Sequence, residues 1–148
     1  MNKSNYFALI GSTFLIIGVF IPYVRVLILN VLESVLTRKI SNYFLSLPFF
    51  QISPICGSII LILALLGLIE VIILKTSSLS LFAGIGSLGI SVVWVIISHR
   101  MDCSSWAELI PSSGDLYVVR SWCLSLGPSF LIIGSLLMLI SALIKRKE

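Results

Sequence analysis

Long uninterrupted runs of apolar residues dominate the chain, and short polar stretches separate them. An α-helix rises about 1.5 Å per residue, so about 20 apolar residues cross the hydrocarbon core of a bilayer. The runs do not alternate apolar and polar positions, as the strands of a membrane barrel do. The pattern therefore predicts an all-α membrane protein, a bundle of four transmembrane helices at about residues 6–24, 54–74, 77–98 and 122–144.

The four predicted spans leave no room for a separate soluble domain, so we expect a single domain over residues 1–148. Only Lys75 and Thr76 join spans two and three, which predicts a tight hairpin with both outer loops, 25–53 and 99–121, on the opposite face. Lysine and arginine divide evenly between the faces, so the positive-inside rule does not decide the orientation. The dense basic cluster 145–147 at a helix end favours a cell-membrane protein with both termini in the cytoplasm.

The first outer loop has an apolar periodicity of its own. At about 100° per residue, one face carries the aliphatic side chains and the other carries polar ones. This spacing predicts an amphipathic outer helix over residues 26–39, which either lies on the membrane surface or extends span one. The aliphatic face consists of Ile28, Val31, Leu32, Val35 and Leu36.

Two cysteines, Cys103 and Cys123, bracket the second outer loop. A disulfide between them would close a loop of about 20 residues and contribute about 3 kcal/mol in the loop-entropy model. An oxidising, outward compartment would favour that bond. We therefore predict a disulfide-closed second outer loop, with reduced thiols or a redox-active pair as the alternatives. Redox relay normally needs a second reactive pair, and only Cys56 remains.

Small residues recur at helical spacing within the later spans and on span one. Such seams let helix backbones approach closely in a membrane, so we assign these residues to helix packing. The pattern G-x-G-x-x-G over residues 84–89 lies inside a span, where no strand-to-helix turn can present it to a dinucleotide. The predicted packing residues are Ser80, Gly84, Ser87 and Ser91 on span three and Gly127, Gly134 and Ser141 on span four, with Gly11 and Gly18 on span one.

Glu70 is the only ionisable residue well inside a predicted span. An intramembrane carboxylate is a candidate proton or ion site. It also lies close to Lys75 and the membrane surface, which favours an interfacial or partner-paired role. Both roles stay open from the sequence.

Composition supports the membrane class and narrows the range of expected partners. Hydrophobic residues make up 58% of the chain and charged residues 11%, with a mean hydropathy of +1.15. The net charge of +4 is scattered or terminal, which disfavours nucleic acid as a partner. Neither a catalytic triad, a metal-ligand cluster nor a cofactor motif is recognisable. We therefore expect no enzyme activity, metal or cofactor, and we expect as partners the lipid bilayer and other integral membrane subunits or further copies of the chain.

The layout resembles small tetraspan membrane proteins of the claudin-like type, with four spans, a large first outer loop, a short inner turn and a second outer loop. The span-one ending 18–23, Gly-Val-Phe-Ile-Pro-Tyr, and the span-four opening 126–130, Leu-Gly-Pro-Ser-Phe, are similar to short four-span proteins of prokaryotes. The cysteine pair of the second loop is similar to that of quinone-linked thiol oxidases.

These observations favour a non-catalytic integral membrane subunit that packs within a larger membrane assembly or a homo-oligomer. The resemblance to thiol oxidases implies one alternative, a quinone-linked thiol–disulfide oxidoreductase. Glu70 suggests another, a small pore or carrier.

Overall fold

The computed structural model describes residues 3–30, 42–74, 78–102, 105, 108 and 117–145. Four of its helices are long and apolar enough to cross a membrane, which confirms the predicted helix bundle. In chain order the elements are α1 (Lys3–Phe20), β1 (Pro22–Asn30), β2 (Asn42–Pro48), α2 (Phe49–Ile52), α3 (Pro54–Ile69) with a π-helical turn (Glu70–Leu74), α4 (Ser78–Arg100), β3 (Tyr117–Leu124) and α5 (Gly127–Lys145).

The four long helices form a ring in which each packs against two others. Helix α1 lies between α3 and α5, and α4 lies between the same two on the other side. The end of the ring where α3 leads towards α4 is called the hairpin end below. The opposite end, where α1 ends and α5 begins, carries a β-sheet and is called the sheet end.

The sheet is antiparallel and three-stranded, in the order β2-β1-β3, so it joins both predicted outer loops into one structure. Its inner face is buried, with Val24, Val26 and Leu47 in the same apolar core as the helices. Arg25 and Ser46 lie on the opposite face and are exposed. The purely helical fold class was therefore incomplete.

The predicted amphipathic helix over 26–39 is wrong where the structure describes it, because residues 26–30 belong to β1. Residues 31–39 lie outside the described residues. The β-branched side chains Val24, Val26 and Ile28 occupy alternate positions and are all buried, which is the period of a strand. The helical period of the sequence prediction depends on Ile28 together with aliphatic residues further along the chain.

The same strands shift two span boundaries. Helix α1 stops at Phe20 rather than Val24, because Pro22 begins β1. Helix α5 starts at Gly127 rather than Trp122, because Trp122 pairs with Val26 in the ladder between β3 and β1. Apolar residues at both places continue from helix into strand, so hydropathy alone does not mark the change.

The inside of the bundle combines small and polar residues with a few large apolar ones such as Leu15 and Leu131, whereas many other large apolar residues face outward. Ile72 and Phe82, for example, are 70% and 68% exposed on the outer surface of the helices. Lipid tails solvate such side chains, so helices in a membrane associate through close packing rather than through burial of aliphatic groups. The buried polar residues of the helices are Ser4, Ser12, Glu70, Ser80, Ser87, Ser91, Ser98, Ser135 and Ser141.

The closest helix contact joins α1 to α5. A Cβ atom placed on Gly134 would lie 2.9 Å from both the Gly11 carbonyl oxygen and the Leu15 backbone nitrogen. Towards the hairpin end, the Ser4 hydroxyl donates to the Ser141 carbonyl oxygen (3.0 Å), and the Ser141 hydroxyl donates to the Ser4 carbonyl oxygen (2.8 Å). The absence of side chains at Gly11 and Gly134 is what lets the two backbones touch.

Replacing Gly134 by alanine is expected to lower the free energy of unfolding by about 1–3 kcal/mol, because the new methyl group meets backbone atoms that no side-chain rotation can move. Unfolding by sodium dodecyl sulfate in mixed micelles, followed by circular dichroism, measures the change.

Gly89→Ala is the matched control, because a Cβ at Gly89 meets no atom within 4 Å. Alanine there is expected to be neutral or stabilising, since it is the better helix former by up to about 1 kcal/mol. Equal losses for the two variants would contradict the backbone contact.

Candidate functional site

Glu70 is the most unusual side chain of the bundle, a carboxylate that is only 1% exposed at the hairpin end. It follows the last residue of α3 and opens the π-helical turn Glu70–Leu74. One of its oxygens, Oε2, accepts hydrogen bonds from both the backbone N–H and the hydroxyl of Ser80. The sequence identified the residue but not its acceptor role.

Ser80 lies in the first turn of α4, which explains the contact physically. The first backbone N–H groups of a helix have no acceptor inside the helix, and the aligned peptide dipoles leave a partial positive charge there. A carboxylate at that place satisfies an N–H group and meets the favourable end of the dipole, and bonds to a charged acceptor are strong. Glu70 therefore caps α4 across the hairpin and holds the hairpin end closed.

The predicted packing residues of α4 lie on the side of the helix that faces the bundle. The Ser87 hydroxyl is 2.8 Å from the Ser135 hydroxyl of α5. A Cβ on Gly84 would lie 2.8 Å from Leu139 Cγ. The Ser91 hydroxyl donates to the Ser87 carbonyl oxygen of its own helix (2.7 Å). Ser87 and Gly84 bring α4 against α5, and the hydroxyls of Ser87 and Ser91 are bonded within the protein.

The predicted packing residues of α5 face α1, with one exception. Gly134 and Ser141 contact α1 as described above. Gly127 instead lies at the sheet end, where an added Cβ would be 3.0 Å from the Pro22 carbonyl oxygen and 3.0 Å from Tyr23 Cα. It lets the start of α5 approach the start of β1 rather than another helix.

The predicted Cys103–Cys123 disulfide is not supported. Cys123 is a free, exposed thiol of β3, and Cys56 is a free, half-buried thiol of α3. Cys103 lies outside the described residues. Cys123 is paired in the ladder with Arg25, on the solvent face of the sheet, and not at the start of span four as the sequence suggested. The strand β3 therefore determines the position of this thiol.

An aromatic cluster lies at the sheet end. The Tyr23 and Phe49 ring centroids are 5.0 Å apart, and Phe49 meets Trp94 edge to face at 5.7 Å. Burial raises the pKa of the Tyr23 phenol to about 12, and the Ser98 hydroxyl beside it lowers that pKa by less. Within the described part of the chain, the buried phenol oxygen has no hydrogen-bond partner of acceptable geometry. Tyr23 therefore stays neutral and acts as an apolar anchor between sheet and helices.

The described ranges contain no assembled metal site. No group of three or more histidine, cysteine, aspartate or glutamate side chains converges there. His99, at the sheet end of α4, instead lies against Trp122 of β3, with ring centroids 6.1 Å apart.

The Glu70 cap is testable by two substitutions of different severity. Glu70→Gln keeps an acceptor oxygen but removes the charge from the helix terminus, and is expected to cost about 0.3–1 kcal/mol. Glu70→Ala leaves the buried Ser80 N–H without that acceptor and is expected to cost about 1–3 kcal/mol. Detergent unfolding of the two variants measures whether Glu70→Ala loses more stability than Glu70→Gln.

Ser91→Ala serves as the control, because the Ser91 hydroxyl donates within its own helix, and a smaller loss is expected there. If both Glu70 variants unfold like the unmodified protein, the carboxylate is not a structural cap, and a role in ion or proton binding gains support.

Comparison with protein-family models, with curated proteins and with solved structures finds no match to this chain. What can be said of its function therefore comes from its own residues and their geometry.

Proposed function

We propose that this protein is a non-catalytic membrane subunit that spans the bilayer four times and assembles with other membrane proteins or with further copies of itself. The observation that carries the proposal concerns the hydrogen bonds of the polar groups inside the bundle. These groups bind one another or the helix backbones, whereas an enzyme or a carrier would present such groups to a substrate.

Glu70 is the first of these groups. Its Oε2 atom accepts two hydrogen bonds from Ser80, and the side chain is almost fully buried. A carboxylate that binds a transported ion or proton has to exchange that partner, whereas a helix cap is a permanent acceptor. The geometry therefore favours a structural role over the pore or carrier hypothesis.

The buried serines follow the same rule. Ser4 and Ser141 bond reciprocally across α1 and α5, and the Ser135 hydroxyl donates to the Leu131 carbonyl oxygen (2.7 Å). The Ser4–Ser141 bonds hold α1 against α5, and the Ser135 bond gives a buried hydroxyl an acceptor within its own helix, because hydrocarbon offers a polar group no other partner. These contacts favour a protein built for stable packing.

The outer surface of α4 offers a place for a further helix. Gly89 is exposed in the middle of this helix, and an added Cβ there would meet nothing within 4 Å. Ile85 and Val93, one turn away on either side, are 57% and 53% exposed. A glycine between branched aliphatic residues forms a notch that another membrane helix can fill. This notch supports assembly through α4.

The sheet offers a second contact surface. Phe44 of β2 is 74% exposed, and it pairs in the ladder with Leu27 of β1. Arg25 of β1 is exposed two positions from Leu27, on the same face of the sheet as Phe44. An exposed aromatic residue beside a cation is typical of protein contact surfaces. The sheet therefore supports contact with a partner outside the helices.

The thiol-oxidase alternative required a reactive cysteine pair in the second outer loop. Cys123 is a free thiol, so the pair on which that alternative depended is not supported.

Assembly is tested by purification in a mild detergent followed by native electrophoresis and chemical cross-linking in intact membranes. We expect a stoichiometric complex, and we expect Gly89→Leu to weaken it about tenfold, because the larger side chain fills the notch. Detergent unfolding of Gly89→Leu should match that of the unmodified protein.

Ile62→Leu is the control, since Ile62 is 56% exposed on the surface of α3 and the substitution keeps that surface apolar. A monomer in mild detergent that also fails to cross-link in membranes would contradict the proposed function.

For the orientation, we propose that both termini lie in the cytoplasm and the sheet lies outside. In a chain with Cys56 and Cys103 replaced by serine, a membrane-impermeant maleimide added to intact cells is expected to label Cys123 and to lose that signal when Cys123→Ser is added. Protease-sensitive tags on both termini should be cut only after permeabilisation. Cutting of either tag in intact cells would contradict this orientation.

A further inference from the structure

The segments α1–β1 and β3–α5 contact each other along their whole described length. In the helices, Ser4 lies against Ser141 and Gly11 lies against Gly134. Seven residues forward along α1 therefore correspond to seven residues backward along α5. In the sheet, the pairing continues in the same antiparallel sense, from Val24 with Leu124 to Asn30 with Tyr117. Helix pair and strand pair therefore form two halves of one antiparallel structure.

The junction between the two halves contains almost no free chain. Ile21 alone separates α1 from β1, and its N–H donates to the Ile17 carbonyl oxygen (2.9 Å), as in a continuing helix. Across from it, the Ser125 N–H donates to the Tyr23 carbonyl oxygen (2.8 Å), so hydrogen bonding between the segments reaches the start of α5. Gly127 then packs on the Pro22 backbone. At this junction neither segment has slack with which to absorb a displacement of the other. Further along, the β1–β3 ladder shifts register once, between Leu27 and Ile28.

The path from β2 to α3 is built differently. The short helix α2 stands between them, and it folds back so that Phe50 lies against Gly57 of α3, where an added Cβ would be 3.0 Å from Phe50 Cδ2. Along the chain, a movement of β2 therefore passes through α2 before it reaches α3.

We propose that α1–β1 and β3–α5 form one cooperative unit that couples the sheet to the hairpin end of the bundle. Sliding α1 along α5 would separate the Gly11 and Gly134 backbones and would also break the register of the β1–β3 ladder. A partner that distorts the sheet therefore changes the Ser4–Ser141 contact, about 21 Å along α5 from its first residue. By thermodynamic reciprocity, a change in the Ser4–Ser141 contact also changes the sheet. The coupling is a property of the fold and does not depend on the assembly proposed above.

A cross-link at the hairpin end tests the coupling. The Ser4 and Ser141 hydroxyls are 3.3 Å apart, so Ser4→Cys and Ser141→Cys bring two thiols together in a chain whose three native cysteines are replaced by serine. Amide hydrogen exchange is measured over 24–30 and 117–124 in the oxidised and the reduced form of this one variant. Oxidation is expected to slow exchange in the β1–β3 ladder about tenfold, while α3 amides change little.

The matched control joins a different pair of helices. Ser87→Cys and Ser135→Cys cross-link α4 to α5, where the two hydroxyls are 2.8 Å apart. This bond is expected to leave the ladder unchanged, because α4 is not part of the unit. The proposal is overturned if the Ser4–Ser141 bond leaves ladder exchange unchanged, or if the control bond slows it equally.

Gly134→Ala provides a second measurement that needs no cross-link. It weakens the helix half of the unit, so it is expected to accelerate exchange in the β1–β3 ladder, whereas Gly89→Ala should not. Equal exchange in Gly134→Ala and the unmodified protein would also overturn the proposal.

Discussion

The backbone contact between Gly11 and Gly134 is the constraint on which the rest of the structure depends. It brings α1 and α5 together without intervening side chains, and this proximity aligns the reciprocal bonds of Ser4 and Ser141 at one end. At the other end, the two chains emerge side by side and continue directly into paired strands. The pairing of β1 with β3 at the sheet end therefore continues the contact of α1 with α5.

The predicted membrane medium explains why glycine and serine stand at the contacts between the helices. In water, burial of large aliphatic side chains drives helices together, but in hydrocarbon those side chains gain nothing by leaving the lipid. Short-range packing and hydrogen bonds are what remain, and both need small residues at the contacts. Glu70 fits the same rule, because a helix terminus in a low-dielectric medium is a strong partner for a buried carboxylate.

Sequence reasoning failed where two periodicities compete. Residues 26–30 were assigned to a helix because Ile28 was grouped with later aliphatic residues, although Val24, Val26 and Ile28 alternate as in a strand. A short apolar segment fits either period, and its partner strands are distant in the chain. The cysteine prediction failed for a related reason: Cys123 was placed at a helix start, whereas pairing with Arg25 holds it on the open face of the sheet.

The sequence by itself predicted a membrane as the medium and the number of long apolar helices, and it placed the second and third of these close together in the chain, because these features depend on hydropathy and length, which are local properties. It also singled out Gly134, Ser87 and Glu70. Only the tertiary structure decided what each one touches: Gly134 meets the Gly11 backbone, Ser87 meets Ser135, and Glu70 meets the first turn of α4. It also decided that the described parts of both predicted outer loops share one sheet. Glu70 and Ser80 are ten residues apart. The other contacts join residues far apart in the chain, and no local pattern of the sequence indicates that such residues meet.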